Sequence, residues 1–341
     1  MRSTVFVVGA GRSGSTALSR IVNEHPDVLS LNELLTSVGE NGIPESRLSG
    51  RRFWRLLADP HPLFETMIRS GVPLPEFLHT RGTGRFSAQT TGIPALALMV
   101  LPHLTDDPDS LFDALEADIS RWPERTAPDH YQALFDALCE RFGRSAVVER
   151  SGLSLPWVPR LRTAFPQAKF VHLFRDGPDC ALSMSRHVGF RTTLLLREIL
   201  SLTGTHTLSE LTESDIQSLP PDLAALLGDR FDPALIHHRT LPLSAFAAMW
   251  SQLVIQGTAH LRTFPAHQRT TLAYEDLIDA PRRELARLAH FIGVAPLTTW
   301  LDTGCSLLDT GRRGASLRLP VDDLATLKKW CAPGTLALAS R

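Results

Sequence analysis

A glycine-rich loop near the start of the chain constrains the fold more than any other segment. Residues 4–8 (TVFVV) have the β-branched and aromatic composition of a buried strand, which ends at Gly9. The loop GAGRSGST at residues 9–16 leads into residues 17–22, whose apolar positions recur at helical spacing. The pattern predicts a strand, a loop and a helix. Such a loop binds phosphate, because its N–H groups and the helix N-terminus converge on an anion.

The loop differs at one important position from the loop that binds nucleoside triphosphates. Gly9 and Gly14 have the spacing of GxxxxGK[ST], but Ser15 replaces the lysine that reaches the β- and γ-phosphates. An ATP-dependent small-molecule kinase is therefore disfavoured and is kept as the alternative function. Arg12, three residues before the lysine position, can supply a terminal phosphate with a full positive charge. A plain glycine turn between strand and helix is the structural alternative.

Glu33 is the candidate general base. A turn at residues 25–27 follows the first helix, residues 28–31 are predicted to form a second strand, and Glu33 comes just after that strand. In an open parallel sheet this is the edge where ligands bind. A carboxylate there can accept a proton from a substrate hydroxyl. The alternative is a solvated acidic residue in a loop.

Composition narrows the class of protein. The chain has 341 residues, 43% of them hydrophobic, and a net charge of −1, which suits a globular protein and disfavours nonspecific nucleic-acid binding. Its four cysteines form no CxxC pair, so neither a zinc site nor a disulfide framework is predicted. A strand so close to Met1 leaves no room for a signal peptide, and no apolar run has membrane-spanning length. We expect a cytoplasmic protein without a membrane partner.

Three later segments repeat the alternation of strand and helix. Residues 146–149, 169–174 and 270–273 are short apolar runs typical of buried strands, and a helical pattern follows each one. Short links between strand, helix and strand imply right-handed parallel units. We predict an α/β fold in which a parallel sheet is the middle of three layers, within a single domain spanning residues 1–341.

Two long segments fall outside this alternation. Residues 36–145 have helical patterns at 96–104, 110–122 and 128–142 but no clear strand, and residues 188–242 are polar with weak helical patterns. Both segments are predicted to be helical insertions at the edge where ligands bind. Such insertions form a substrate wall or lid. The alternative is a contact between the copies of a homodimer.

A second anion site is predicted after the fourth strand. Arg175 follows that strand and Ser183 lies eight residues later, two turns into a helix, so that guanidinium and hydroxyl can converge on a phosphate. The alternative is a turn with a local ion pair. Near the C-terminus, Arg312 and Arg313 precede Gly314 in a glycine-bracketed loop that either binds an anion or forms an exposed turn.

These motifs together resemble those of the sulfotransferases that use 3′-phosphoadenosine 5′-phosphosulfate (PAPS). GAGRSGST is similar to the family's loop for the 5′-phosphosulfate, and FRDGPDCALSMSRH is similar to its 3′-phosphate motif, with Arg175 and Ser183 at the family's spacing. TLAYEDLIDAPRRELARLAHFIGV and the run 312–314 are similar to its later strand–helix signature and its C-terminal basic loop. The resemblance implies the P-loop NTPase-like topology of sulfotransferases.

The resemblance also implies roles for particular residues. An arginine at position 12 is typical of the branch that includes tyrosylprotein sulfotransferases and several bacterial enzymes, in which a glutamate at the position of Glu33 acts as base. Arg150, in the similar run ERSGLSLPWVP, stands where that branch has a lysine that stabilises the transferring group; arginine keeps the charge but cannot donate a proton. The residues implied to bind the nucleotide are Gly11, Arg12, Ser13, Gly14, Ser15, Thr16, Arg175, Ser183, Tyr274, Arg312, Arg313 and Gly314.

The implied reaction is in-line transfer of a sulfuryl group to a hydroxyl. Arg12, the loop amides and Arg150 would stabilise the leaving 5′-phosphate, and Glu33 would take the acceptor proton. No metal is expected, because arginines and amides hold the phosphate. With no secretory anchor expected, the acceptor is predicted to be a small molecule or a carrier-bound hydroxyl. His79 and His103 are the next candidate bases, and a nucleotide-binding scaffold without transfer activity is the non-enzymatic alternative.

Overall fold

The computed structural model describes residues 2–79, 84–309, 311 and 313–339. Its strands are β1 (Ser3–Val8), β2 (Val28–Asn32), β3 (Ala146–Arg150), β4 (Lys169–Phe174) and β5 (Arg269–Ala273). They form one sheet in the order β2-β3-β1-β4-β5, and every pair of neighbours is parallel. The predicted α/β fold with a parallel sheet is therefore confirmed.

The register of the strands brings their carboxyl ends to one edge of the sheet. Val7 of β1 and Asn32 of β2 both pair with Arg150 of β3, and Phe174 of β4 pairs with Ala273 of β5. The residues that follow these positions are the glycine loop, Glu33, Arg175 and Tyr274. Candidate residues from distant parts of the sequence thus meet at the edge where open α/β sheets bind ligands.

Helices cover both faces of the sheet. Val5 and Val7 face a cluster that includes α1 (Ser15–Asn23), α17 (Pro281–Ile292) and α18 (Thr298–Ser306). Phe6 and Val8 face the larger cluster, with α8 (Ala127–Phe142), α10 (Gly177–Ser185), α15 (Leu243–Arg262) and α19 (Val321–Ala339). Alternate side chains of each strand are buried on opposite faces of the sheet, so the sequence of a strand is a continuous apolar run. Two shorter helices, α9 (Val158–Ala164) and α16 (Tyr274–Asp279), complete these layers.

The two segments outside the alternation pack on each other. Met67, Phe77 and Leu98 of the first share a hydrophobic cluster with Leu195 and Ile236 of the second. Both segments also contribute residues to the surroundings of Gly11 and Glu33, so they lie at the carboxyl edge of the sheet. The first contains α2 (Leu34–Val38), α3 (Gly50–Ala58), α4 (Pro62–Arg69), α5 (Ala95–Met99), α6 (Leu101–Leu104), α7 (Pro108–Ile119) and α8, and the second contains α11 (Val188–Thr203), α12 (Glu213–Ser218), α13 (Pro221–Ala225) and α14 (Leu235–His238).

Some helix boundaries differ from the sequence-based prediction. The helix expected over residues 96–104 is two helices, α5 and α6, that meet at Val100. Pro102 explains the break, because it has no N–H for the carbonyl four residues earlier and its ring clashes there. The basic and aromatic residues 51–57 were not predicted as a helix, yet they form α3, whose first turn Ser49 caps by accepting from Arg52 N. Among the described residues, no helix is both long and apolar enough to cross a membrane.

Candidate active site

The glycine loop has a left-handed backbone at three of its residues, 11, 12 and 14. Gly11 has φ of 83° and Gly14 has φ of 86°, and a Cβ built on either would lie 2.3 Å from an aromatic carbon, of Phe190 and of Tyr274 respectively. Glycine is required at both positions, because it tolerates positive φ and leaves room for the rings. Arg12 also has positive φ, 58°, which costs a residue with a side chain roughly 1 kcal/mol.

Contacts of the Arg12 side chain hold this strained residue in place. Its Nε donates to Ser183 Oγ at 3.2 Å, and its Nη1 lies 3.5 Å from Glu76 Oε1. The first contact joins the two predicted phosphate motifs directly. The second comes from the first insertion, between α4 and α5. The Arg12 guanidinium is therefore positioned by residues that lie far from it in sequence.

A cavity of about 370 Å³, here called the basic cavity, opens beside the loop. Four arginines line it, Arg12, Arg20, Arg150 and Arg175, against two carboxylates, Glu76 and Asp309. An excess of positive charge around a concave site favours an anionic ligand. The predicted nucleotide residues at its wall are Arg12, Gly14, Ser15, Thr16, Arg175, Ser183 and Tyr274.

Arg175 is buried and held on two sides. Its Nη2 lies 3.1 Å from Asp179 Oδ2, and its guanidinium carbon lies 5.1 Å from the centre of the Tyr274 ring. Asp179 also accepts hydrogen bonds from Gly314 N at 2.7 Å and Ser316 N at 2.8 Å. Burial alone would raise the pKa of Asp179, but these amide donors and the Arg175 charge lower it. Asp179 thus connects Arg175 to the C-terminal loop.

The remaining predicted nucleotide residues lie elsewhere. Gly11 lines a second cavity, described below. Ser13, within the loop, is buried, and its hydroxyl donates to Gly11 O at 3.2 Å. Arg313 lines neither cavity and forms a surface ion pair with Asp279. Arg312 lies outside the described residues. Of the C-terminal basic loop, the structure brings the Gly314 amide to Asp179.

Glu33 is buried and accepts from three donors. Arg150 forms an ion pair with its Oε1, Gly152 N donates to both carboxylate oxygens at 3.0 and 3.1 Å, and Thr36 Oγ1 donates to Oε2 at 2.8 Å. Glu33 itself has φ of 57° and precedes α2. The other amino group of Arg150 donates to Asn32 Oδ1. The backbone turn and the three donors fix the direction of the carboxylate.

A second buried carboxyl lies behind Glu33. Glu149 of β3 accepts from Ser151 Oγ at 2.7 Å and from Leu35 N of α2 at 3.3 Å. Burial, reinforced by the charge of Glu33, raises the pKa of Glu149 to about 8. Glu149 is therefore a protonated acid at neutral pH, and it ties the start of α2 to the strand that carries Arg150.

Glu33 faces a second cavity, of about 240 Å³, here called the apolar cavity. The first insertion contributes Phe64, Leu74, Phe77 and Met99 to its wall, and the second contributes Phe190 and Thr193. The two cavities have Arg12, Ser15, Thr16 and Glu76 in common. The glycine loop is therefore the partition between a basic and an apolar compartment.

Neither of the histidines named as alternative bases lines the apolar cavity. His103 lines the basic cavity, with Nε2 3.4 Å from both Ser19 Oγ and Ser30 Oγ. Burial and the nearby Arg150 and Arg20 lower its pKa to about 4. The Nε2 of His79 lies 2.9 Å from the carbonyl of Phe86, and His79 lines neither cavity.

Two residues of the apolar cavity were missed by the sequence reasoning. His187 is the last residue of the quoted run FRDGPDCALSMSRH, which gave it no role, and Glu76 lies in a proline-punctuated stretch without periodicity. In the structure, His187 Nε2 lies 3.3 Å from Glu76 Oε1 at the wall of the apolar cavity. No local pattern pointed to Glu76, because its contacts are with residues 64 and 111 positions away.

Comparisons of sequence and structure relate the chain to known proteins. A profile described as the sulfotransferase family matches residues 4–231 of the chain. The chain is similar to the sulfotransferase domain from the curacin biosynthetic pathway, with 14% identity over 100% of this chain and 97% of that one and a TM-score of 0.46. It is also similar to the sulfotransferase domain of the Synechococcus PCC 7002 olefin synthase, with 16% identity over 99% and 94% and a TM-score of 0.46. A sulfotransferase from Alicyclobacillus acidocaldarius shows 16% identity over 100% and 95%, with a TM-score of 0.43. A search of curated proteins found no match.

Proposed function

Since the chain belongs to the sulfotransferase family, we propose that it moves a sulfuryl group from PAPS to a hydroxyl of a small-molecule or carrier-bound acceptor. The whole chain acts as one catalytic domain in this proposal. The basic cavity takes the donor nucleotide, and the apolar cavity takes the acceptor. The alternative, an ATP-dependent kinase, is disfavoured by Ser15 in the lysine position of the loop.

One observation carries the proposal. Arg12 of the glycine loop and Arg175 of the RDG motif, residues 175–177, line the same cavity. Ser183, on the helix that begins in this motif, contacts Arg12 directly at 3.2 Å. A ligand with phosphates at both ends can therefore contact both motifs at once. Arginine guanidinium groups and loop amides are the donors that bind such phosphates best. Tyr274, under the Arg175 guanidinium, is the proposed surface for the adenosine.

The reaction would use the partition between the two cavities. The acceptor oxygen, arriving in the apolar cavity, forms a bond to sulfur while the bond from sulfur to the 5′-phosphate oxygen breaks. Charge that builds on the leaving phosphate is stabilised by Arg12 and the amides of residues 13–16. Glu33, which faces the apolar cavity, accepts the acceptor proton.

Arg150 would link donor binding in the basic cavity to the base, Glu33, at the apolar cavity. It pairs with Glu33 on one side and lines the basic cavity on the other. An anionic sulfonate arriving in the basic cavity competes for the Arg150 charge. This competition would loosen the Glu33–Arg150 pair once the donor is bound, which would free a carboxylate oxygen of Glu33 to accept from the acceptor hydroxyl.

The proposal is tested with the product nucleotide 3′-phosphoadenosine 5′-phosphate (PAP). We expect PAP to raise the melting temperature of the protein, and PAPS to support the gain of one sulfo group on an alcohol in a mass-spectrometric screen of acceptors. ATP with Mg²⁺ should give no phosphorylated product. Magnesium-dependent phosphorylation of an alcohol, or no response to PAP, would contradict the proposal.

A further inference from the structure

The apolar cavity has a polar end that the proposed transfer reaction does not use. Glu76 and His187 share one contact there, between Oε1 and Nε2 at 3.3 Å. Within the described part of the chain, Glu76 Oε2 and His187 Nδ1 are buried and have no hydrogen-bond partner. An unsatisfied buried polar atom costs about 1–3 kcal/mol. Neither atom touches the open cavity, although the side chains of Glu76 and His187 both line it and are partly exposed. A small turn of either side chain towards the cavity would let a ligand group satisfy the atom, and the unmet hydrogen bonds favour that turn.

The charge of Glu76 determines which ligand group fits. Burial alone would raise the pKa of Glu76, but His187 and the Arg12 charge outweigh burial and lower it. Glu76 is therefore an ionised carboxylate at neutral pH, and its unpaired oxygen can be satisfied only by a hydrogen-bond donor.

The charges around the apolar cavity also disfavour an anionic acceptor group. Its charged lining residues are Arg12, Glu33 and Glu76, and His187 is its histidine. Arg12 also lines the basic cavity, where bound PAPS would pair with its positive charge. The apolar cavity with donor bound then has an acidic end, which repels an acceptor carrying a carboxylate or phosphate.

We propose that Glu76 and His187 bind a second polar group of the acceptor, so that the acceptor is an apolar alcohol with a neighbouring amino or hydroxyl group. This inference rests on the proposed function and names the substrate class of its acceptor site. The cationic amino group is the preferred partner of Glu76, because a hydrogen bond between charged groups is stronger than one to a neutral hydroxyl. The rings of Phe64, Phe77 and Phe190 surround the apolar part.

A matched series of phenylpropanoids tests the inference, because its members differ only beside the reacting carbon. The probes are 3-phenylpropan-1-ol, 3-phenylpropane-1,2-diol, 2-amino-3-phenylpropan-1-ol and 2-benzyl-3-hydroxypropanoate, which share a primary alcohol and carry a hydrogen, a hydroxyl, an ammonium and a carboxylate on the neighbouring carbon. We measure kcat/KM with PAPS, and affinity in the presence of PAP by calorimetry. The amino alcohol should exceed 3-phenylpropan-1-ol by about 10- to 100-fold, the diol should be intermediate, and 2-benzyl-3-hydroxypropanoate should be poorest.

Variants assign this preference to the two residues. Glu76→Gln and His187→Gln should each reduce the ratio of amino alcohol to 3-phenylpropan-1-ol by about 10-fold. Because both probes use the same donor, any effect of Glu76→Gln on Arg12 and the nucleotide cancels in the ratio. Glu65→Gln is the control: Glu65 belongs to the same insertion, is buried, accepts from Ile93 N and lines neither cavity.

The outcomes separate the inference from the function on which it rests. Equal affinity for the amino alcohol and 3-phenylpropan-1-ol in the wild type, an unchanged ratio in Glu76→Gln, or binding of none of the probes would overturn the inference. Sulfation of other alcohols would leave the proposed function standing in each of these cases. A protein that does not bind PAP would instead refute the proposed function itself.

Discussion

Glu33→Gln tests the proposed base and the structure around it together. The substitution keeps the shape of the side chain but removes the charge opposite Arg150, whose side chain is 4% exposed. Removing one partner of a buried ion pair costs about 3–5 kcal/mol, a large part of the roughly 5–15 kcal/mol by which a typical domain is stable. We therefore expect a lower free energy of unfolding, and a turnover reduced roughly 100-fold or more by loss of the base.

The double variant Glu33→Gln with Arg150→Met separates the two effects. It removes both charges, so most of the lost stability should return; its turnover does not report on the base, because Arg150 is itself part of the proposed site. In the single variant, Arg150 still lines the basic cavity but has lost its counter-charge, so PAP should bind at least as tightly as to the wild type. A loss of turnover caused by unfolding would instead be accompanied by weaker PAP binding.

The assay is turnover of the acceptor found by mass spectrometry, at saturating PAPS, alongside urea unfolding and PAP calorimetry. Turnover within a few fold of the wild type would remove Glu33 from the role of base. Stability equal to that of the wild type would show that the Glu33–Arg150 pair contributes nothing to the fold. Either result refutes the corresponding part of the reasoning.

Three further substitutions probe the surroundings. Gly14→Ala places a Cβ 2.3 Å from the Tyr274 ring at φ of 86°, so PAP affinity measured by calorimetry should fall at least about 10-fold, and wild-type affinity would contradict the loop packing. Glu149→Gln imitates the protonated acid. The Glu149 carboxyl ionises near pH 4.5 in the unfolded chain and near pH 8 in the folded chain. The stability that the buried acid contributes is therefore complete below pH 4.5 and decreases towards pH 8, by at most about 1.4 kcal/mol per pH unit. Melting temperature should therefore fall less steeply in Glu149→Gln between these pH values, and parallel curves would refute the buried acid. Asp179→Asn removes the charge that holds Arg175 and the Gly314 amide, so PAP affinity should fall about 5- to 10-fold, and no change would show that Arg175 is positioned without it.

The sheet was predictable because its signals are local. Each buried strand is a short apolar run, and parallel connections place all carboxyl ends at one edge. From this rule alone, residues 12, 33, 150 and 175 are predicted to lie in the same region. Their roles in binding and catalysis stay predictions, while the α/β sheet itself is confirmed.

The partners within the site were not predictable, because they come from contacts between distant segments. Glu33 and Arg150 are 117 positions apart, and nothing in either motif shows that they pair. Glu76 lies in an irregular stretch without periodicity, so only the packing of the two insertions on each other explains its place beside Arg12. The break at Pro102 had a local cause, and the prediction of a continuous helix was wrong there.

Calorimetry with two nucleotides tests the central claim, that the glycine loop and the RDG helix bind opposite ends of one bisphosphorylated adenosine. Adenosine 5′-phosphate lacks the 3′-phosphate assigned to Arg175. We predict that Arg175→Ala weakens PAP binding by about 1.5–3 kcal/mol and leaves adenosine 5′-phosphate binding unchanged, which also shows that the variant is folded. Equal losses for both nucleotides, or no loss for PAP, would contradict the claim.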